Sequence, residues 1–204
     1  MASNGQETEA KFYVLHLEEI LGRIQDLQAP LIQPRVLETN VRFDLPDGSL
    51  TSHGKVLRLR QDTQARFTFK GAGQNKSGVL DREEIEFVVE DAQKARQFLE
   101  ALGYRKSAYY EKYRSTYDLD ATLIMLDELP FGSFVEIEGE TVEQIQSVAA
   151  KLGLHWDSAI PASYTALFEG IRSRLQLSFQ DISFENFTGI LITPEYLQVR
   201  PADE

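Results

Sequence analysis

The feature that most constrains this chain is a strand alternation in which one face is charged and the other apolar, repeated from one end to the other. In Glu7-Thr8-Glu9-Ala10-Lys11, read as a strand, Glu7, Glu9 and Lys11 share a face opposite Thr8, Ala10 and Phe12. The pattern returns with charges of both signs. Arg58 and Arg60 alternate with Leu57 and Leu59, and Arg66, Thr68 and Lys70 alternate with Phe67 and Phe69. Arg82, Glu84 and Glu86 alternate with Ile85 and Phe87; Lys112 and Arg114 flank Tyr113; Glu136 and Glu138 alternate with Val135 and Ile137. A single strand of this kind reads as a solvated edge. A whole set of them demands a shared place for the charges.

Between the strands, apolar residues recur at helical spacing. Helices are expected over Leu17–Gln28, from Ala92 to a stop at Gly103, from a capping box at Thr141 and Gln144 to Gly153, and from a cap at Ser163. The second strand is read as Val36–Leu45, with Asn40, Arg42 and Asp44 on one face, and Tyr104–Leu126 as a long hairpin closed by Asp127, Glu128 and Pro130. Gly71–Gly78 reads as a mobile hairpin loop. The tail beyond Leu175 carries Phe179, Ile182, Phe184 and Phe187, enough to dock on the body, and its last four residues are expected to fray.

Each helix stripe needs cover, and the apolar strand faces are the large partner on offer. The helices are therefore expected outside, against the Leu57, Phe69, Ile85 and Ile137 side. The charged side is then either an open bent sheet or the lumen of a barrel; about eight strands enclose room for one small ligand. Burying so many ions dry costs several kcal/mol each, more than an ordinary stability margin of roughly 5 to 15 kcal/mol absorbs, so the lumen must be wet. Converging cations call for a compact polyanion such as a chain of phosphates. Carboxylates beside that anion call for a divalent cation, and carboxylate, phosphate and water form the oxygen shell Mg²⁺ prefers.

With 204 residues, 42% hydrophobic and 26% charged, one compact domain is expected over 1–204, its core at about 5–175 and its tail at 176–204. A net charge of −11 argues against a nucleic-acid surface, and no cysteine excludes thiolate sites. No apolar run suits a membrane span and no secretory leader is visible, so a cytoplasmic protein without membrane partners is expected. It is read as a monomer or homodimer.

Taken in order, Glu7-Thr-Glu9-Ala-Lys11, Leu57-Arg58-Leu59-Arg60, Lys70, Arg82-Glu-Glu84-Ile-Glu86, Lys112-Tyr-Arg114 and Asp127 leading to Glu136-Ile-Glu138 resemble the signature of the CYTH superfamily, the triphosphate tunnel metalloenzymes. The resemblance implies an α+β fold, an eight-stranded antiparallel β-barrel tunnel with a charged lumen and helices outside, that binds a triphosphate with Mg²⁺ or Mn²⁺. It implies metal ligands at Glu7, Glu9, Glu136 and Glu138, and phosphate contacts from Lys11, Arg58, Arg60, Lys70, Arg82, Lys112 and Arg114. Glu7, Glu9 and Lys11 are the expected catalytic groups; Glu84, Glu86, Asp127 and Arg42 are further candidates. Ser163-Tyr164 matches the start of a helix that plugs one tunnel end. Many relatives carry Asp-Xaa-Tyr-Phe-Asp where this chain has Asn40-Val-Arg42-Phe43-Asp44. The implied activity is a metal-dependent triphosphate phosphohydrolase acting on tripolyphosphate or nucleoside triphosphates. The alternatives are a class IV-type adenylyl cyclase, a thiamine triphosphatase and a non-catalytic polyphosphate or nucleotide binder.

Overall fold

The computed structural model describes residues 6–76 and 79–204, with side chains omitted at 6, 7, 75 and 76. In chain order the elements are β1 (Gln6–Val14), α1 (Leu17–Asp26), β2 (Leu31–Asp44), α2 (Ser49–Ser52), β3 (Val56–Gln61), β4 (Ala65–Lys70), β5 (Gln74–Lys76) and β6 (Val79–Val89). They continue with α3 (Ala92–Ala101), β7 (Arg105–Leu119), β8 (Thr122–Leu129), β9 (Gly132–Glu138), α4 (Val142–Lys151), α5 (Tyr164–Leu175) and α6 (Pro194–Leu197).

The strands lie in the order β1-β9-β8-β7-β2-β3-β4-β6, and β1 also pairs with β6, so eight strands close into an antiparallel ring. The short β5 hangs on β6. Ring closure settles where the two strand faces go. Ala10, Phe12, Ile124, Leu126, Val135 and Ile137 point outward and form one core with Ile20 and Ile24 of α1 and Ile145, Val148 and Ala149 of α4. Ala95 and Leu99 of α3 cover Phe43 and Leu59 on the far side, with Leu57 and Phe67 beside them. The inward face keeps the charges.

Capping follows the local chemistry. Thr141 accepts from Gln144 N while the Gln144 side chain accepts from Thr141 N, and Ser163 accepts from Ala166 N. Gly103 and Gly153 sit at φ +95° and +67° just past their helices, a conformation open to glycine without a Cβ penalty.

Several expectations need correction. Helix α1 ends at Asp26 rather than Gln28, because Gln28 takes a left-handed φ of 56°. Strand β2 starts at Leu31, well before Val36, and passes through Pro34 because register shifts on both sides of Gln33 absorb the residue that cannot donate. The loop expected at 71–78 contains β5; Ser77 and Gly78 lie outside the described residues. Ile85 is not covered by a helix and remains 51% exposed. Asp127 lies within β8, which runs on to Leu129, rather than closing the strand.

The tail does not fray. Ala202 is fully buried; its N–H donates to the Tyr13 carbonyl and its own carbonyl accepts from His155 N. The Asp203 carboxylate accepts from Leu15 N and His16 N at 2.7 to 3.0 Å, ahead of α1. Upstream, Phe179, Ile182 and Phe187 pack with Leu167, Phe168 and Ile171 of α5 and with Tyr13, Tyr110 and Phe134, which stand on inward strand positions. Helix α5 and the tail thus close one end of the ring with aromatic side chains.

Candidate active site

The ring encloses a cavity of about 710 Å³ lined by ionised side chains from β1, β2, β3, β4, β6, β7 and β9. Around it stand Glu9 and Lys11 of β1, Arg42 of β2, Arg58 and Arg60 of β3, and Lys70 of β4. Arg82, Glu84 and Glu86 come from β6, Lys112 and Arg114 from β7, and Glu136 and Glu138 from β9. Glu7 pairs with Arg82 across β1 and β6, but its side chain lies outside what is described. Asp127 does not line the cavity. It is fully buried behind it, and there it accepts from Lys112 Nζ at 2.9 Å, Arg114 Nε at 2.6 Å and the Tyr164 hydroxyl at 2.8 Å. Its place is that of an anchor that aims two cations and the first residue of α5.

Most cavity cations meet a carboxylate. Lys11 Nζ lies 3.2 Å from Glu136, Arg82 3.1 Å from Glu9, Arg60 2.9 Å from Glu86 and Lys70 3.5 Å from Glu84. Arg114 also donates to Glu136. These pairs set the protonation states. Burial pushes the Lys11 ammonium down, but Glu136 and Glu9 outweigh it and hold the group charged. Burial pushes the Glu136 carboxyl up, and Lys11, Arg114 and Lys112 together hold it well below the usual carboxylate range. Tyr164 is driven the other way: burial, then the Asp127 and Glu136 charges, raise its hydroxyl well above 10 and keep it a donor.

Some participants escaped the sequence reading. Glu38 is 1% exposed, lies 3.5 Å from Lys112 and 3.7 Å from Arg60, and titrates at about 2 because Lys112, Arg114 and Arg60 overcome the burial that raises it. It sits two residues before Asn40, so the alternation already placed it on the inward face. Tyr110, two residues before Lys112, shares the inward face, and its hydroxyl accepts from Arg58 at 3.2 Å. Gln33, Thr116 and Met125 line the cavity as well. No charge marks them, which is why composition along the strand does not reveal them.

The donor chemistry fits a hard divalent cation in part. Glu9 and Glu138 are direct partners across β1 and β9, a cross-strand placement in which like charges repel unless a cation intervenes. Their oxygens suit Mg²⁺ or Mn²⁺. Glu136, on the next inward position, already serves Lys11 and Arg114. Among the described residues no three His, Asp or Glu side chains gather closely enough to hold an ion unaided, so phosphate and water oxygens would complete the shell.

Comparison with known proteins agrees with the ring. A Methanocaldococcus jannaschii protein provisionally named an adenylate cyclase is 26% identical over 174 residues, which is 79% of this chain and 97% of that protein. A Vibrio parahaemolyticus structure, also provisionally named an adenylate cyclase, superposes with a TM-score of 0.72 at 22% identity over 81% of this chain and 99% of the other. A Hippeastrum structure superposes with a TM-score of 0.60 at 20% identity over 80% and 95%; its name couples adenylyl cyclase with a dominant triphosphatase activity. At these identities the two structures speak for the fold. The CYTH domain model matches residues 5–164, which span every strand of the ring and the start of α5, and this chain belongs to the CYTH domain family.

Proposed function

We propose that this protein is a divalent-metal-dependent triphosphatase that hydrolyses tripolyphosphate or a nucleoside triphosphate inside the ring. The observation that carries the reading is the composition of one cavity: guanidinium and ammonium groups from six strands face a cross-strand pair of carboxylates, Glu9 and Glu138. A triphosphate threaded there has its charge met by Lys11, Arg58, Arg60, Lys70, Arg82, Lys112 and Arg114. These groups are positioned before the substrate arrives, so little reorganisation is left for the transition state.

Glu9 and Glu138, with Glu7 and Glu136 as neighbours, would hold Mg²⁺ or Mn²⁺, which when bound neutralises phosphoryl oxygens and lowers the cost of in-line displacement. Lys11 keeps its proton and stabilises charge on the transferring phosphoryl group. Glu9 accepts a hydrogen bond from the attacking water and orients it in line with the scissile bond. Arg60 and Glu86 hold each other at 2.9 Å and fix the opposite wall. Asp127 acts through Lys112 and Arg114 and is a positioning residue.

The second reading is an adenylyl cyclase, favoured by the names of the relatives. In that reaction the ribose 3′-oxygen attacks the α-phosphorus and pyrophosphate leaves, so the same cations serve a shifted nucleotide. Purified protein with Mg²⁺ or Mn²⁺ and tripolyphosphate, ATP or thiamine triphosphate decides between them. Release of orthophosphate supports hydrolysis; cyclic AMP with pyrophosphate reverses the ranking; tight binding with no turnover makes the protein a receptor. Glu9→Gln and Glu138→Gln should each lower the metal-dependent rate by about 100-fold or more with the fold retained, an effect in the range of lost transition-state contacts.

A further inference from the structure

Two cavity cations differ from all their neighbours in what they touch. Arg42 and Arg58 are direct partners across β2 and β3, so two guanidinium groups stand side by side on the same face. Like charges in that position repel. Arg42 donates to the Thr165 hydroxyl at 2.8 Å, and its Nε is buried without a partner among the described residues. The nearest acid on its own strand, Asp44, is committed elsewhere: its oxygens accept from Leu45 N, Leu50 N, Thr51 N and the Thr51 hydroxyl. Arg58 donates to the hydroxyls of Tyr110 and Thr68 at 3.2 and 3.1 Å, its Nε is likewise orphaned, and its nearest carboxylate, Glu86, is 3.8 Å away.

Among the described residues, every side-chain hydrogen bond of this pair therefore goes to a neutral hydroxyl, and of the two only Arg58 is reached by the Glu86 carboxylate, at 3.8 Å. Hydroxyls orient a guanidinium without cancelling its charge, whereas the other cations of the wall lean on carboxylates. Leaving a buried donor orphaned is costly, more so when it is charged, and a fold keeps such a group where something outside the chain completes it. Burial and the charges of Arg58 and Arg82 both work against the Arg42 cation, so the stress is concentrated on the β2 member. The pair also lies beside the first turn of α5, since Thr165 lines the cavity and holds Arg42. That is the end the aromatic side chains close.

We propose that Arg42 and Arg58 form a clamp for the terminal phosphate group of the substrate at the α5 end of the cavity, making Arg42 a specificity-determining residue for triphosphates. This rests on the triphosphate reading above. A terminal phosphate suits the site better than an internal one, because it carries up to two charges near neutral pH and offers three oxygens to a pair of planar forks. Inorganic tripolyphosphate and nucleoside triphosphates share that group.

The test is calorimetric titration of the wild-type protein and of Arg42→Gln with tripolyphosphate and, separately, with ATP, alongside thermal melts of both proteins without ligand. Arg42→Gln should weaken tripolyphosphate binding by about 10- to 100-fold, raise KM more than it lowers kcat, and leave the unliganded melting temperature unchanged or higher, since it removes a repulsion. Arg42→Lys, which keeps charge but not the fork, should recover part of the loss. Whichever of the two ligands loses affinity is the one that places its terminal phosphate at the clamp. Undiminished affinity for both in Arg42→Gln, with wild-type binding intact, overturns the clamp alone. Absence of binding in the wild type overturns the triphosphate reading and the clamp with it.

Discussion

Asp127 shows how a residue can be central to a site without reaching its ligand. The sequence marks it as an acid at a strand end; in the fold it is fully buried and fastens Lys112, Arg114 and Tyr164 together. Asp127→Asn leaves two buried cations short of a counter-charge and should cost about 3 to 5 kcal/mol in denaturant unfolding. Glu38 carries a pH signature. Its carboxyl is depressed from 4.5 to about 2, so the folded form binds this proton less readily than the unfolded chain. The stabilisation is complete above about pH 4.5 and is lost as pH falls toward 2, about 3 kcal/mol in all. Unfolding midpoints followed between pH 6 and 2 should show that loss, and Glu38→Gln should flatten the part of the slope it causes. Both residues lay within alternating strands, yet their roles were hidden, because alternation assigns a face and says nothing about which cation stands across the ring.

At the scale of elements, periodicity was a good guide to strands and helices and a poor one to their ends. The capping box at Thr141 is written in the local sequence and forms as written. Thr141→Ala should cost about 1 kcal/mol, a fall of about 2 to 4 °C in melting temperature. The early start of β2 was not legible, since Pro34 argues locally against a strand and only pairing with β7 provides the bulge that accommodates it. The tail was misread for a similar reason. Pro201-Ala-Asp-Glu is polar and terminal, but Asp203 supplies acceptors for two amides ahead of α1. Asp203→Ala should lower the unfolding free energy by about 1 to 2 kcal/mol, where a frayed end would give no change.

For the whole molecule, the cost of gathering so many charges around one cavity links stability to ligand. The folded state alone assembles the pocket, so tripolyphosphate with Mg²⁺ at about 100 times its Kd should stabilise the protein by about 2.7 kcal/mol, read as a rise in melting temperature. An unchanged melting temperature at saturating concentration would count against the pocket as the triphosphate site.

What the sequence determined by itself was the two-faced character of the strands and the sign of the charges they carry, because side chains alternate by two wherever the backbone is extended. That periodicity also sent α1, α3 and α4 to the apolar side. Tertiary structure alone decided the rest: the pairing of β1 with β6 that turns a bent sheet into a ring, the aromatic closure by α5 and the tail, and which cations find a carboxylate. Those outcomes depend on distances between residues far apart in the chain, where a shift of one strand position would exchange one partner for another. No local pattern encodes them.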